Sequence, residues 1–137
     1  MIASILLNKI FLAGAISWVV AQLLKFIIDG IKTGNFHPKM IFLPGKMPSS
    51  HTATIVAVAS MIYLLEGASS LFMLALFVAF IIMYDCVTSR RQIGIITQAL
   101  NASLKKRIRY FEGHTPLQVL IGAVIGICVA LVIQWIS

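Results

Sequence analysis

Apolar positions gather into long runs broken by short polar segments, and each run has helical length. Ile10 to Ile28 is almost wholly apolar and long enough to cross a hydrocarbon core of about 30 Å, with Asp29-Gly30 expected to close it. Gln22 and Lys25, three apart, share a face near its end, where a Lys either snorkels to the headgroups or serves a site. Gly30 to Met47 has loop composition with a positive bias, and its Met40 to Leu43 could dip into the membrane interface. Ser50 to Leu65 predicts a helix of only about 24 Å at 1.5 Å per residue, short for a span, so its start should lie below the membrane surface. Glu66-Gly67 predicts a tight turn, and Ala68 to Val87 returns across the bilayer. In Ile93 to Tyr110, Ile93, Ile96, Leu100, Leu104 and Ile108 recur at helical spacing while Gln98, Asn101, Lys105 and Arg109 fall elsewhere, which predicts an amphipathic helix lying on the membrane. Pro116 to Ile136 is the last span, and Thr115-Pro116-Leu117-Gln118 before it is a capping-box pattern.

The fold class expected is therefore all-α: a polytopic membrane helical bundle of about four spans plus an amphipathic interfacial helix, forming one integral-membrane domain over residues 1-137. Composition agrees, since 60% apolar and 11% charged residues are too greasy a mixture for a soluble domain of this length. Ile10 to Ile28 runs on to Lys25 and Asp29 without a small-residue cleavage site and reads as a retained span rather than a signal peptide. Gly122 and Gly126, four apart, would let another helix pack closely, which makes a homodimer one expectation.

Charge adds sidedness and partners. The net charge is +7. The cations flank apolar spans, and no aromatic-interleaved basic face appears, so lipid headgroups and phosphate are the expected partners and nucleic acid is not. Lys105-Lys106-Arg107 and Arg109 would anchor to anionic lipid headgroups. Four spans bring every Lys and Arg except Lys9 to one side, which the positive-inside rule places in the cytoplasm, with both termini across a bacterial inner membrane. Cys86 and Cys128 suggest neither a disulfide framework nor a zinc site.

Chemistry concentrates at two helix starts. Lys46-Met47-Pro48-Ser49-Ser50-His51 places a Lys, two hydroxyls, a His and unpaired backbone N–H groups at the positive end of a helix, where a phosphate would be held. The same residues also make an ordinary cap, but Gly113-His114-Thr115-Pro116 forms a second such junction. Asp85, the acid within a predicted span, should meet a Lys or Arg in the interior. Two His residues at helix starts, converging cations and no metal-ligand cluster point to phosphoryl transfer without metal or cofactor: one neutral His attacks phosphorus, cations neutralise its oxygens, and the other His protonates the leaving oxygen.

Met47-Pro48-Ser49-Ser50-His51, Tyr84-Asp85 followed by Arg90-Arg91, Leu100-Asn101, and Gly113-His114-Thr115-Pro116 with Val119 closely resemble, in order and over nearly the whole chain, the divergent branch of the type 2 phosphatidic acid phosphatase superfamily, related to vanadium haloperoxidases. The resemblance implies a helical membrane bundle that hydrolyses a lipid phosphate monoester or pyrophosphate. Carried over residue by residue, it implies His114 as the nucleophile that becomes phosphohistidine and His51 as the general acid. Ser49 and Ser50 would bind phosphate, and Arg90 or Arg91, with Lys25, would clamp its oxygens. Lys46 adds a further cation beside them. Departures are visible: Arg90 and His114 are separated by the amphipathic segment, the first motif's Arg-Pro pair has only Lys32 near its place, and the acid expected four residues after the nucleophile is Gln118. An amide carbonyl fixes an imidazole tautomer but cannot neutralise imidazolium, so Asp85 is the expected substitute.

Two readings follow. One is a phosphatase acting at the cytoplasmic face on phosphatidate, phosphatidylglycerophosphate or an isoprenyl pyrophosphate. The other is a non-catalytic lipid-phosphate binder or transporter that keeps the anion pocket. A drug-type transporter finds little support, because no acid sits mid-span.

Overall fold

The computed structural model describes residues 8–36, 47–104, 108 and 113–136, in which five helices and no strand occur. Helix α1, Lys9–Thr33, starts where the Asn8 side chain accepts hydrogen bonds from the N–H groups of Ile10 and Phe11, at 2.9 and 3.2 Å. It does not close at Asp29-Gly30 as the sequence suggests. It runs on to Gly34, which ends it in the left-handed region at φ 66°. Asp29 stands one turn beyond Lys25 on the buried face, so its carboxylate is accommodated inside the bundle instead of stopping the helix. Gly30 is required for another reason: a Cβ there would collide with the ring of Phe36. Extending α1 also gives the spans a second acid, Asp29, beside Asp85.

Helix α2, Ser50–Glu66, begins after the cap residue Ser49. Pro48 precedes the cap, and the helix starts at Ser50 as its apolar run predicts. The turn at Glu66-Gly67 forms as expected, with Gly67 at φ 67°. Ser69 then caps helix α3, Ser70–Val87, accepting from Phe72 N–H at 3.2 Å while donating to Glu66 at 3.0 Å. Helix α4, Ser89–Ser103, follows after a break at Thr88, whose hydroxyl donates to the Tyr84 carbonyl at 2.6 Å. It starts earlier than the apolar spacing implied, taking in Arg90 and Arg91, and its last helical residue is Ser103; residues 105–107 and 109–112, with the basic cluster expected there, lie outside the described residues. Leu104 is extended, and the Asn101 amide both accepts from Ile108 N–H and donates to Ile108 C=O, each at 2.7 Å. Helix α5, Pro116–Ile136, completes the chain.

Helix α2 is the axis of the bundle, packed against α1, α3 and α5, whereas α4 leans only on α3. Small residues make this enclosure work. Ala13, Ala57, Met61 and Ala130 form one buried cluster, and Ala59, Ile62 and Ala75 another. A Cβ on Gly126 would lie 2.5 Å from the Ala53 carbonyl, and one on Gly122 would lie 2.6 Å from the Ser49 carbonyl. The Gly122 and Gly126 face, read from sequence as a surface for a second copy, is thus occupied by α2 of the same chain. Large apolar side chains such as Trp18, Phe77, Ile81, Leu120 and Trp135 point outward instead. Three stretches, Lys9–Thr33, Ser70–Ser103 and Pro116–Ile136, are long and apolar enough to cross a membrane, and α2 is a shorter apolar helix held among them.

Gly126→Val should force α2 and α5 apart and lower stability by about 1–3 kcal/mol, as overpacked cores do. A reduced unfolding midpoint in detergent is the measurement.

Candidate functional site

The starts of α2 and α5 and the end of α3 meet at one end of the bundle, held by backbone hydrogen bonds. Ser49 N–H donates to the Gln118 carbonyl at 3.3 Å, which ties the entry of α2 to the first turn of α5. The Ser49 hydroxyl accepts from Thr52 N–H at 3.4 Å and from the Thr52 hydroxyl at 2.9 Å. Its carbonyl accepts from Ala53 N–H at 3.0 Å. Ser49, Ser50 and Thr52 are all buried. The buried Cys86 thiol, one residue from the end of α3, lies within hydrogen-bond reach of the Ser49 and Thr52 hydroxyls.

Cys86 also fixes His114: its carbonyl accepts His114 N–H at 3.0 Å. This bond sets the nucleophile candidate, only 5% exposed, against the end of α3. Gly113 makes the approach feasible, since a Cβ there would run into the backbone of Arg90 and Arg91. The separation of Arg90 from His114 in sequence is thereby cancelled in space. After His114, Thr115 and Gln118 close the predicted capping box: Thr115 N–H donates to the Gln118 side-chain carbonyl at 3.0 Å and Gln118 N–H to the Thr115 hydroxyl at 3.4 Å.

Charge surrounds His51, whose side chain is exposed at the start of α2. Arg90, Lys25 and Asp85 all act on it electrostatically. Lys25 is only 2% exposed, so it does not snorkel; it lies beside Asp29 on the inner face of α1. Asp85 and Arg90 form an ion pair of 2.6 Å on the outer rim, 38% and 46% exposed. Arg91 is exposed next to them. Of the residues singled out from sequence, His51, His114, Ser49, Ser50, Arg90, Arg91, Asp85, Gln118 and Lys25 come together at this end, and Lys46 lies outside the described residues.

The same motifs that meet here carry a family match, since a model described as the Divergent PAP2 family covers residues 6–129. The chain belongs to the Divergent PAP2 family. A relative, the uncharacterized membrane protein YuiD of Bacillus subtilis (strain 168), is 26% identical over 153 residues, spanning 96% of this chain and 97% of its own. No solved structure matches. With three apolar helices of spanning length and a membrane-protein relative, this Divergent PAP2 protein is an integral membrane protein.

The capping-box role expected of Gln118 is met, its side-chain carbonyl accepting from the Thr115 N–H. Asp85 meets an Arg as expected, but on the rim instead of in the interior: Arg90 Nε sits on its carboxylate, because α4 starts early enough to bring Arg90 back over the last turn of α3. Sequence reasoning missed Thr52, Cys86 and Asp29, and gave Gly113 a place in its motif without its packing role. Thr52 lies three residues after the cap and Asp29 four after Lys25, spacings that could have flagged both; the roles of Cys86 and Gly113 depend on contacts between helices and leave no local signal.

Ser49→Ala should remove the α2 cap and leave the buried Thr52 hydroxyl without its acceptor, costing about 1–3 kcal/mol. Thr115→Ala, at the exposed box of α5, should cost about 1 kcal/mol or less. Equilibrium unfolding of both variants in detergent tests that order.

Proposed function

We propose that the protein is a metal-independent lipid-phosphate phosphatase working through a phosphohistidine. The observation that carries this reading is the joining of the two His-bearing helix starts, with His114 N–H on the Cys86 carbonyl and Ser49 N–H on the Gln118 carbonyl, beside the Arg90-Arg91 backbone. A neutral imidazole of His114 attacks phosphorus, forming an N–P bond as the P–O bond to the lipid breaks. His51 gives its proton to the departing lipid oxygen, and its exposed ring leaves that oxygen room. Water then attacks the phosphohistidine with His51 taking a proton, which releases inorganic phosphate and restores His114. Ser49 and Ser50 hold the phosphate at the α2 N-terminus, where the helix dipole favours an anion. Arg90, Arg91 and Lys25, with Lys46 in addition, neutralise its oxygens.

Anionic phospholipids of the cytoplasmic leaflet of a bacterial inner membrane, phosphatidate or phosphatidylglycerophosphate, are the substrates this reading favours, with an isoprenyl pyrophosphate as a further candidate. The cationic end of the bundle supports that sidedness, with both termini across the membrane. The non-catalytic alternative, a lipid-phosphate binder, draws on one observation: the Gln118 amide and the Asp85 carboxylate are committed to Thr115 and Arg90.

Phosphate release by the purified protein, measured over a panel of lipid phosphates with a chelator present, separates the two. The phosphatase reading expects wild-type turnover and a loss of about a thousandfold or more in His114→Ala, by comparison with removal of other catalytic nucleophiles. Wild-type silence with intact lipid binding that Arg90→Ala weakens supports the binder, and activity gained by Gln118→Glu would then identify the missing carboxylate as the cause.

A further inference from the structure

Next to the polar end of the bundle, α2, α3 and α5 leave a groove of about 430 Å³. Its mouth adjoins the site: Val56 is one turn beyond Thr52 on α2, and Met83 one turn before Cys86 on α3. Along its length the small side chains of Ala59 and Ala79, both buried, create the hollow. Tyr63 and Phe72, whose ring centroids are 5.0 Å apart, line its far end. Ser60 and the Tyr63 ring contribute its hydroxyls; the other lining side chains are apolar.

From Met83 to Phe72 the groove follows about 16 Å of helix at 1.5 Å per residue. That is about half of the roughly 30 Å hydrocarbon core, the depth available to one lipid chain descending from one leaflet. Bulk lipid could wet the groove, but a lipid ending in a phosphate monoester would be held at its mouth by the cations around His51 more strongly than a zwitterionic phosphodiester lipid.

We propose that this groove holds one hydrocarbon chain of the lipid phosphate whose headgroup occupies the Ser49–His114 site, with Tyr63 and Phe72 as the end-stop that limits chain length. The inference rests on the reading above that a phosphate binds at the polar end, but it does not need that phosphate to be hydrolysed. Because bilayer tails are as apolar as the groove, van der Waals fit rather than removal from water favours seating the chain, and the ring pair turns groove length into selectivity.

The test uses the full chain in phosphatidylcholine nanodiscs and single-chain lipid phosphates of several lengths, each carrying a photoreactive diazirine at the chain end. A matched uncharged alcohol serves as the control, and the cross-links are mapped by peptide mass spectrometry. The phosphate probe is expected to label the Tyr63 and Phe72 level at least about tenfold more than the alcohol, and Ala79→Trp to cut that labelling by about tenfold. Phe72→Ala is expected to move the best-labelled probe to a longer chain, a gain that a misfolded variant cannot produce. Equal labelling by the alcohol would mean bulk lipid only and overturn the proposal. So would labelling indifferent to both variants, or cross-links joining two copies through the groove. Phosphate release is read in parallel: groove labelling without turnover upholds the chain site while removing catalysis, and turnover without groove labelling does the reverse.

Discussion

The start of α2 is the constraint on which the rest of the structure depends. The first N–H groups of a helix have no intrahelical partners, and in apolar surroundings each must find one from elsewhere. Because α2 is enclosed by the other three apolar helices, its N-terminus lies inside the protein rather than in water. Ser49 answers this demand with its hydroxyl on Thr52 and its N–H on the Gln118 carbonyl. The second bond requires α5 to come within backbone distance, which only Gly122 and Gly126 allow. Once α5 is fixed there, the residues before it must pass the end of α3, and the His114 to Cys86 bond with the bare Gly113 against Arg91 is how they do so. A helix-capping requirement thus assembles the polar cluster.

The charges divide into an inner and an outer pair of opposite signs. Burying Lys25 is costly unless a carboxylate accompanies it, and Asp29, one turn later on the same helix face, supplies one. The outer pair, Asp85 and Arg90, is well over a third exposed, so it adds little to stability. Its effect is positional, holding the Arg90 guanidinium over the last turn of α3 near His51.

Gln118 shows how one position can serve folding and constrain chemistry. As the fourth residue of the capping box it satisfies the Thr115 N–H, and its main-chain carbonyl also receives Ser49 N–H. A carboxylate could accept the Thr115 hydrogen bond equally well and would add negative charge near the helix start, which the dipole favours. The amide here is therefore not demanded by the cap.

Much of the architecture follows from local pattern alone. Apolar run lengths fix the helices, Thr115 to Gln118 specifies its box, Glu66-Gly67 its turn, and Pro48 to His51 marks a helix start, because caps, turns and span lengths are satisfied within a few residues. The pairing of His51 and His114 with the cations is legible too, since an even number of crossings returns those ends to one side. Tertiary structure decided the rest. It carried α1 through Asp29-Gly30, because an acid that stops an isolated helix is tolerated once Lys25 is buried beside it. It gave Gly122 and Gly126 to α2, and joined Gly113 and Cys86 to the site. Each depends on which backbone comes within a few ångströms of which, a distance set by the packing of whole helices and written in no single stretch of the chain.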